Sequence, residues 1–107
     1  MTHKAKKVVI ITEKLITNGV IEIINESGAV GYTVHSTGGK GSRGIRSEDR
    51  TRLVEAFANI QIDVIATEEV AHTIAQKVAD KYFARHSGIT YLEDVEVLRP
   101  GKFSQTK

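Results

Sequence analysis

Ile60, Ile62 and Val64 alternate with Asn59, Gln61 and Asp63, and within two residues of Ala66 the period changes. Val70/Ala71, Ile74/Ala75, Val78/Ala79 and Tyr82/Phe83 then recur as a continuous i, i+4 stripe. A period of two belongs to a half-buried strand and a period near 3.6 to a helix lying on a core. The chain must therefore pass from strand to helix at Ala66-Thr67. Thr67 is an N-cap residue type, and Glu68 and Glu69 place anions in the first turn, where the helix dipole favours them. Arg85 and His86 suit the far end of the dipole, and Gly88 is expected to stop the helix.

The remaining elements arrange themselves around this pair. Val8-Val9-Ile10-Ile11 reads as a strand buried on both faces, followed by Thr12 as an expected N-cap and Glu13 in a first turn. Ile16, Val20, Ile23, Ile24 and Ser27 recur at helical spacing up to Gly28, a good residue to end a helix. Gly19 weakens that helix by about 1 kcal/mol relative to alanine. Gly31 to Ser36 is a second strand, Ala58 to Ala66 the third, and Ile89 to about Leu98 the last. Arg99-Pro100-Gly101 reads as a turn. The order β-α-β-β-α-β predicts an α+β, ferredoxin-like sandwich: a four-stranded antiparallel sheet with two helices on one face. The other face needs water or a partner, and Asn59, Gln61 and Asp63 could meet either.

The length of 107 residues suits a single domain, 1–107, with expected mobile tails at about 1–5 and 103–107. The chain has no cysteine, which excludes a disulfide scaffold and any thiolate metal site. No apolar run approaches the roughly 20 residues of a membrane span, and no apolar signal core follows the basic start, so a cytoplasmic protein is expected. The net charge of +2 does not by itself imply nucleic acid.

The second and third strands are separated by a long excursion, about 37–57. Connections longer than about 15 residues in a compact domain are usually functional or disordered. Its first ten residues, Thr37-Gly38-Gly39-Lys40-Gly41-Ser42-Arg43-Gly44-Ile45-Arg46, hold four glycines, two small hydroxyls and three cations. Glycine lets the backbone approach a ligand, consecutive N–H groups can converge on an anion, and arginine grips phosphate oxygens in pairs. The segment reads as a phosphate or carboxylate cradle, with a solvated surface loop as the alternative. Lys40-Gly41 departs from the Gly-Lys-[Ser/Thr] end of a nucleotide-hydrolase P-loop, and no helix follows it.

Other residues read more plainly. His3, His35, His72 and His86 lack metal-ligand spacing, so no metal site is expected. Tyr82 and Phe83 read as core. Tyr32 and Tyr91 are candidates for lining a cleft, with core packing favoured. No nucleophile–base order or carboxylate dyad suggests catalysis, so the chain is not expected to be an enzyme.

The chain resembles the PII-like signalling family, in the branch linked to bicarbonate transport and carboxysomes (SbtB and the carboxysome-associated PII-like proteins, CPII). The resemblance rests on Thr12-Glu13-Lys14, Glu26-Ser27-Gly28-Ala29 and Gly31-Tyr32-Thr33-Val34, and above all on Thr37 to Arg43 with Arg46. Ala58-Asn59-Ile60, Val78 to Phe83 and Glu96-Val97-Leu98 extend it over nearly the whole chain. It implies a homotrimer with adenine nucleotides in clefts between subunits, and identifies the long excursion as the T-loop that docks on a target. Carried over by position, Gly38, Gly39, Lys40, Gly41 and Ser42 would line the nucleotide at the loop root. Arg43 and Arg46 would contact phosphate. Gly88 and Ile89 would close over the ligand, and Arg99 would come from a neighbouring subunit. Gly39 and Lys40 would be the bicarbonate contacts. The redox loop that many transporter-linked relatives carry at the C-terminus has no counterpart here, because the chain has no cysteine.

The expected function is a sensor of adenine nucleotides, with AMP and ADP foremost and cyclic AMP or ATP as further candidates. No covalent cofactor is expected, and a membrane bicarbonate transporter or a carboxysome-associated protein is the implied partner. Two other classes compete. A ferredoxin-like nucleic-acid module fits the arginines but lacks base-stacking aromatics on its strands. A slow nucleotide hydrolase lacks an evident general base.

Overall fold

The computed structural model describes residues 2–36 and 59–98. The elements follow in the order β1 (His3–Glu13), a short 3-10 turn (Lys14–Ile16), α1 (Thr17–Glu26), β2 (Thr33–Ser36), β3 (Asn59–Ala66), α2 (Glu68–Tyr82) and β4 (Gly88–Val97). The strands form one sheet in the order β2-β3-β1-β4, every neighbouring pair antiparallel. β1 and β2 are therefore parallel with β3 between them, and β3 and β4 are parallel with β1 between them. Each β-α-β unit is split by a strand of the other, which is the ferredoxin-like arrangement.

The core lies between the sheet and the two helices. Val8 and Ile10 of β1 and Ile60, Ile62 and Val64 of β3 meet Val20, Ile23 and Ile24 of α1 and Ala71, Ile74 and Val78 of α2. Burying each of the larger of these side chains contributes roughly 1.5–3 kcal/mol relative to exposure. The strand alternation seen in the sequence therefore points its apolar face at the helices.

Thr67 caps α2 as expected: its Oγ1 accepts from the Val70 N–H at 3.3 Å. Gly28 follows α1 with φ at 96°, the left-handed region that glycine enters without strain. The Gly28 N–H donates to the Asn25 carbonyl and the Ala29 N–H to the Ile24 carbonyl, closing the helix end in a Schellman motif.

Four boundaries differ from the sequence reading. β1 continues through Glu13 and α1 begins only at Thr17, because Thr12 and Glu13 direct their side chains to a distant loop rather than to a helix start. The second strand spans Thr33–Ser36 rather than starting at Gly31. α2 ends at Tyr82, where the Arg85 and His86 N–H groups both turn back onto the Tyr82 carbonyl, and Gly88 opens β4 instead of ending the helix. At the N-terminus, residues read as tail are already strand: His3 pairs with Val97 and Lys4 with Glu96.

On the face away from the helices, Val9 is 1 % exposed, although Tyr91, its register partner on β4, is 41 % exposed. Asp63 sits at the centre of a polar group on this face. It accepts from Gln61 Nε2 at 3.0 Å and from His35 Nε2 at 3.2 Å, with Lys7 Nζ at 3.9 Å. Next to Lys7 in β1, Lys6 pairs with Asp94, which raises the lysine pKa and lowers that of the carboxyl. Among the described residues, no helix is long and apolar enough to cross a membrane.

Candidate functional site

The strand register puts the roots of two loops at one end of the sheet. Ser36 pairs with Ile60, Ile60 with Thr12, and Thr12 with Gly88. These residues form a row across all four strands, in the order β2, β3, β1, β4. At about 4.8 Å per strand spacing the row is about 14 Å long. Ser36 is the last residue before the glycine-rich excursion, and Gly88 is the first of β4. The topology therefore places at one end of the sheet, on its two outer strands, the two segments that the sequence reading assigned to a single site.

Of the candidate residues, Gly88 and Ile89 lie within the described chain. Gly38, Gly39, Lys40, Gly41, Ser42, Arg43, Arg46 and Arg99 lie outside the described residues. Gly88 has a steric reason to be glycine. A Cβ built there would stand 2.5 Å from Phe83 Cε1 and 2.8 Å from Thr12 Oγ1. Ile89, on the other side of the strand, is 55 % exposed. Tyr32 and Tyr91 are each 41 % exposed, so neither is the core residue that apolar patterning favoured. Tyr82 and Phe83 do pack against the core.

The loop joining α2 to β4 is held by side chains that sequence reasoning treated as a helix start. The Thr12 hydroxyl donates to the Ser87 carbonyl at 2.8 Å, and Thr12 is buried. Glu13 Oε2 accepts from the Ser87 N–H at 2.9 Å, and Glu13 Oε1 lies 3.3 Å from His86 Nδ1. An ionised carboxylate only accepts, so the facing imidazole nitrogen carries the proton. The Ser87 N–H first, and His86 second, hold the Glu13 pKa below its ordinary value. Both sides of the Ser87 peptide are thus tied to the end of β1. No local pattern announces this clamp, since its partners are separated by 73 to 75 residues.

A concavity borders the same end of the sheet on the helix side. It is an open groove of about 510 Å³ lined by Lys14, Leu15, Thr17, Asn18, Val34, Ser36 and Ile60. Among the described residues, no cluster of three or more His, Asp or Glu side chains could hold a metal ion.

Comparison with known proteins supports the fold. The family model described as nitrogen regulatory protein P-II matches residues 5–102. A PII-like signalling protein from Thermus thermophilus is 37 % identical, with 95 % of this chain and 97 % of that one covered and a TM-score of 0.77. CPII from Thiomonas intermedia, solved with ADP and bicarbonate, is 28 % identical over 96 % of this chain and 97 % of its own, with a TM-score of 0.74. The same protein solved with ADP, AMP and acetate gives 27 % identity over 96 % and 97 %, with a TM-score of 0.73. With almost the whole chain matched and the split sheet reproduced, the protein belongs to the nitrogen regulatory protein P-II family.

Proposed function

We propose that this chain is a cytoplasmic, homotrimeric sensor of adenine nucleotides that regulates a partner protein in inorganic-carbon metabolism. The observation that carries the reading is the row Ser36–Ile60–Thr12–Gly88, which brings the root of the glycine-rich loop and the α2–β4 loop to one end of the sheet. The binding of ADP, AMP and bicarbonate by the Thiomonas CPII supports the ligand class. In this reading Gly38, Gly39, Lys40, Gly41 and Ser42 line the phosphates, and Arg43 and Arg46 neutralise them. Gly88 and Ile89 close the ligand in, and Arg99 of a neighbouring subunit completes the cleft. Gly39 and Lys40 hold bicarbonate. A half-apolar sheet face carrying Val9, Ile11, Ile89 and Tyr91 is the surface on which subunits would meet.

Regulation would follow from differential binding. A nucleotide that favours one arrangement of the 37–57 segment changes the surface offered to a bicarbonate transporter or a similar target. Calorimetric titration with AMP, ADP, ATP and cyclic AMP, each with and without bicarbonate, tests the reading. Micromolar binding of at least one nucleotide supports it. Arg46→Ala should weaken that binding more than tenfold, or by about 1.4 kcal/mol. Absence of binding for all four nucleotides would overturn it.

A further inference from the structure

The α2–β4 loop already holds an anion, and the anion is part of the chain. The Glu13 carboxylate accepts from the Ser87 N–H at 2.9 Å and faces His86 Nδ1 at 3.3 Å. These are a backbone amide and an imidazole, the two kinds of donor such a loop would otherwise turn toward a phosphate. The loop has little freedom to re-aim them. The Thr12 hydroxyl fixes the Ser87 carbonyl from the other side, and the Phe83 ring and Thr12 Oγ1 leave no room at Gly88 even for a methyl group. Glu13 is about a quarter exposed, at 24 % for its side chain, so its charge is only partly screened.

We propose that Glu13 determines ligand specificity: it occupies two donors of the 86–88 loop and sets a fixed negative charge there, favouring nucleotides with few phosphates over those with many. The inference rests on the nucleotide-binding reading above. Each added phosphate brings more negative charge to be neutralised. At this loop it meets a carboxylate and finds the Ser87 N–H and His86 Nδ1 already engaged. AMP, with the smallest charge, loses least from this and ATP loses most. A purely structural clamp would behave differently. Loosening it would weaken all adenine nucleotides by the same factor, whereas removing a charge changes their ratio.

The test is a calorimetric titration of the intact protein and of Glu13→Gln with AMP, ADP and ATP, at fixed pH, salt and magnesium. Glutamine keeps the length and one acceptor oxygen for the Ser87 N–H but removes the charge. The expected result is that the ATP-to-AMP affinity ratio rises at least threefold in Glu13→Gln, with ADP between. A smaller change, with AMP still bound by the unsubstituted protein, overturns the inference and leaves the nucleotide reading intact. If the unsubstituted protein binds none of the three, this inference fails, and the nucleotide reading fails with it only when cyclic AMP is not bound either. A second readout needs no variant. The Ser87 amide of the free protein should be protected from hydrogen exchange, and exchange at the rate of an open loop removes the contact on which the inference stands.

Discussion

The Thr12 hydroxyl donates to the Ser87 carbonyl at 2.8 Å, joining the end of the first strand to the start of the last across 75 residues of sequence. Thr12 is buried, and its register partner on β4 is Gly88. Thr12→Val keeps the shape and removes the donor. The loss should be about 1 kcal/mol of stability, read as a lower urea midpoint with an unchanged slope. Hydrogen exchange at Ser87 and Gly88 should accelerate more than exchange in the β1–β3 ladder. Uniform acceleration everywhere would mean that the bond only adds to global stability and does not hold the loop.

Gly19 carries a second steric requirement. A Cβ there would stand 1.8 Å from the Tyr82 hydroxyl oxygen and 2.8 Å from the ring carbon that bears it. Alanine would ordinarily strengthen a helix interior by about 1 kcal/mol relative to glycine. Here the ring must move, so Gly19→Ala should instead destabilise by about 1–3 kcal/mol. Truncating the ring as Tyr82→Leu should relieve the conflict. A double-mutant cycle of thermal or urea unfolding should give a coupling above about 0.5 kcal/mol, and strict additivity would show that the ring moves aside freely.

Much of the fold was legible, for a reason visible at particular residues. Ile60, Ile62 and Val64 face the helices and Gln61 and Asp63 face away, so the period of two reports the local geometry directly. The Val70 to Tyr82 stripe, the Thr67 cap and the Gly28 stop are equally local. The candidate site was legible only in part. Thr12 and Glu13 have the composition of a helix start, and their true partners lie just before the neighbouring strand β4, 73 to 75 residues along the chain. Gly88 resembles a helix stop, but its reason for being glycine is the Phe83 ring. Tyr32 and Tyr91 show why aromatic residues near a loop are ambiguous. The same residue type serves a core or an exposed face, and the choice depends on which strand runs beside it.

Acid should expose the Glu13 contact. The Ser87 N–H and then His86 hold its pKa below the ordinary value of 4.5. The folded protein therefore binds that proton less readily than the unfolded chain. The contribution is complete above the unfolded value and is lost as pH falls through the folded one. Asp94, held down by Lys6, acts in the same direction. The useful quantity is thus the difference between the unsubstituted protein and Glu13→Gln. Their thermal midpoints should lie furthest apart above about pH 5 and converge as the pH falls below about 4. A gap that does not change with pH would show that the carboxylate charge is not what Ser87 and His86 recognise.

Thr90 points to an easy gain. Its Oγ1 is buried without a hydrogen-bond partner, on the strand position opposite Ile10. A buried hydroxyl left unpaired costs about 1–3 kcal/mol, and valine fills nearly the same volume without it. Thr90→Val should raise the unfolding free energy by about 1 kcal/mol, measured by urea titration. A drop in stability would reveal a partner for the hydroxyl in solution.

The central place of β1 sets the order in which this molecule can come into being. β1 is made before the other three strands, yet its neighbours in the sheet are β3 and β4, and His3 pairs with Val97. β1 must wait for Val97 before its ladder with β4 can close. Such distant pairings are slow, because the chain's freedom is given up before the contacts reward it. During that interval Val8-Val9-Ile10-Ile11 is an open strand edge, so the growing chain is most prone to aggregate through β1.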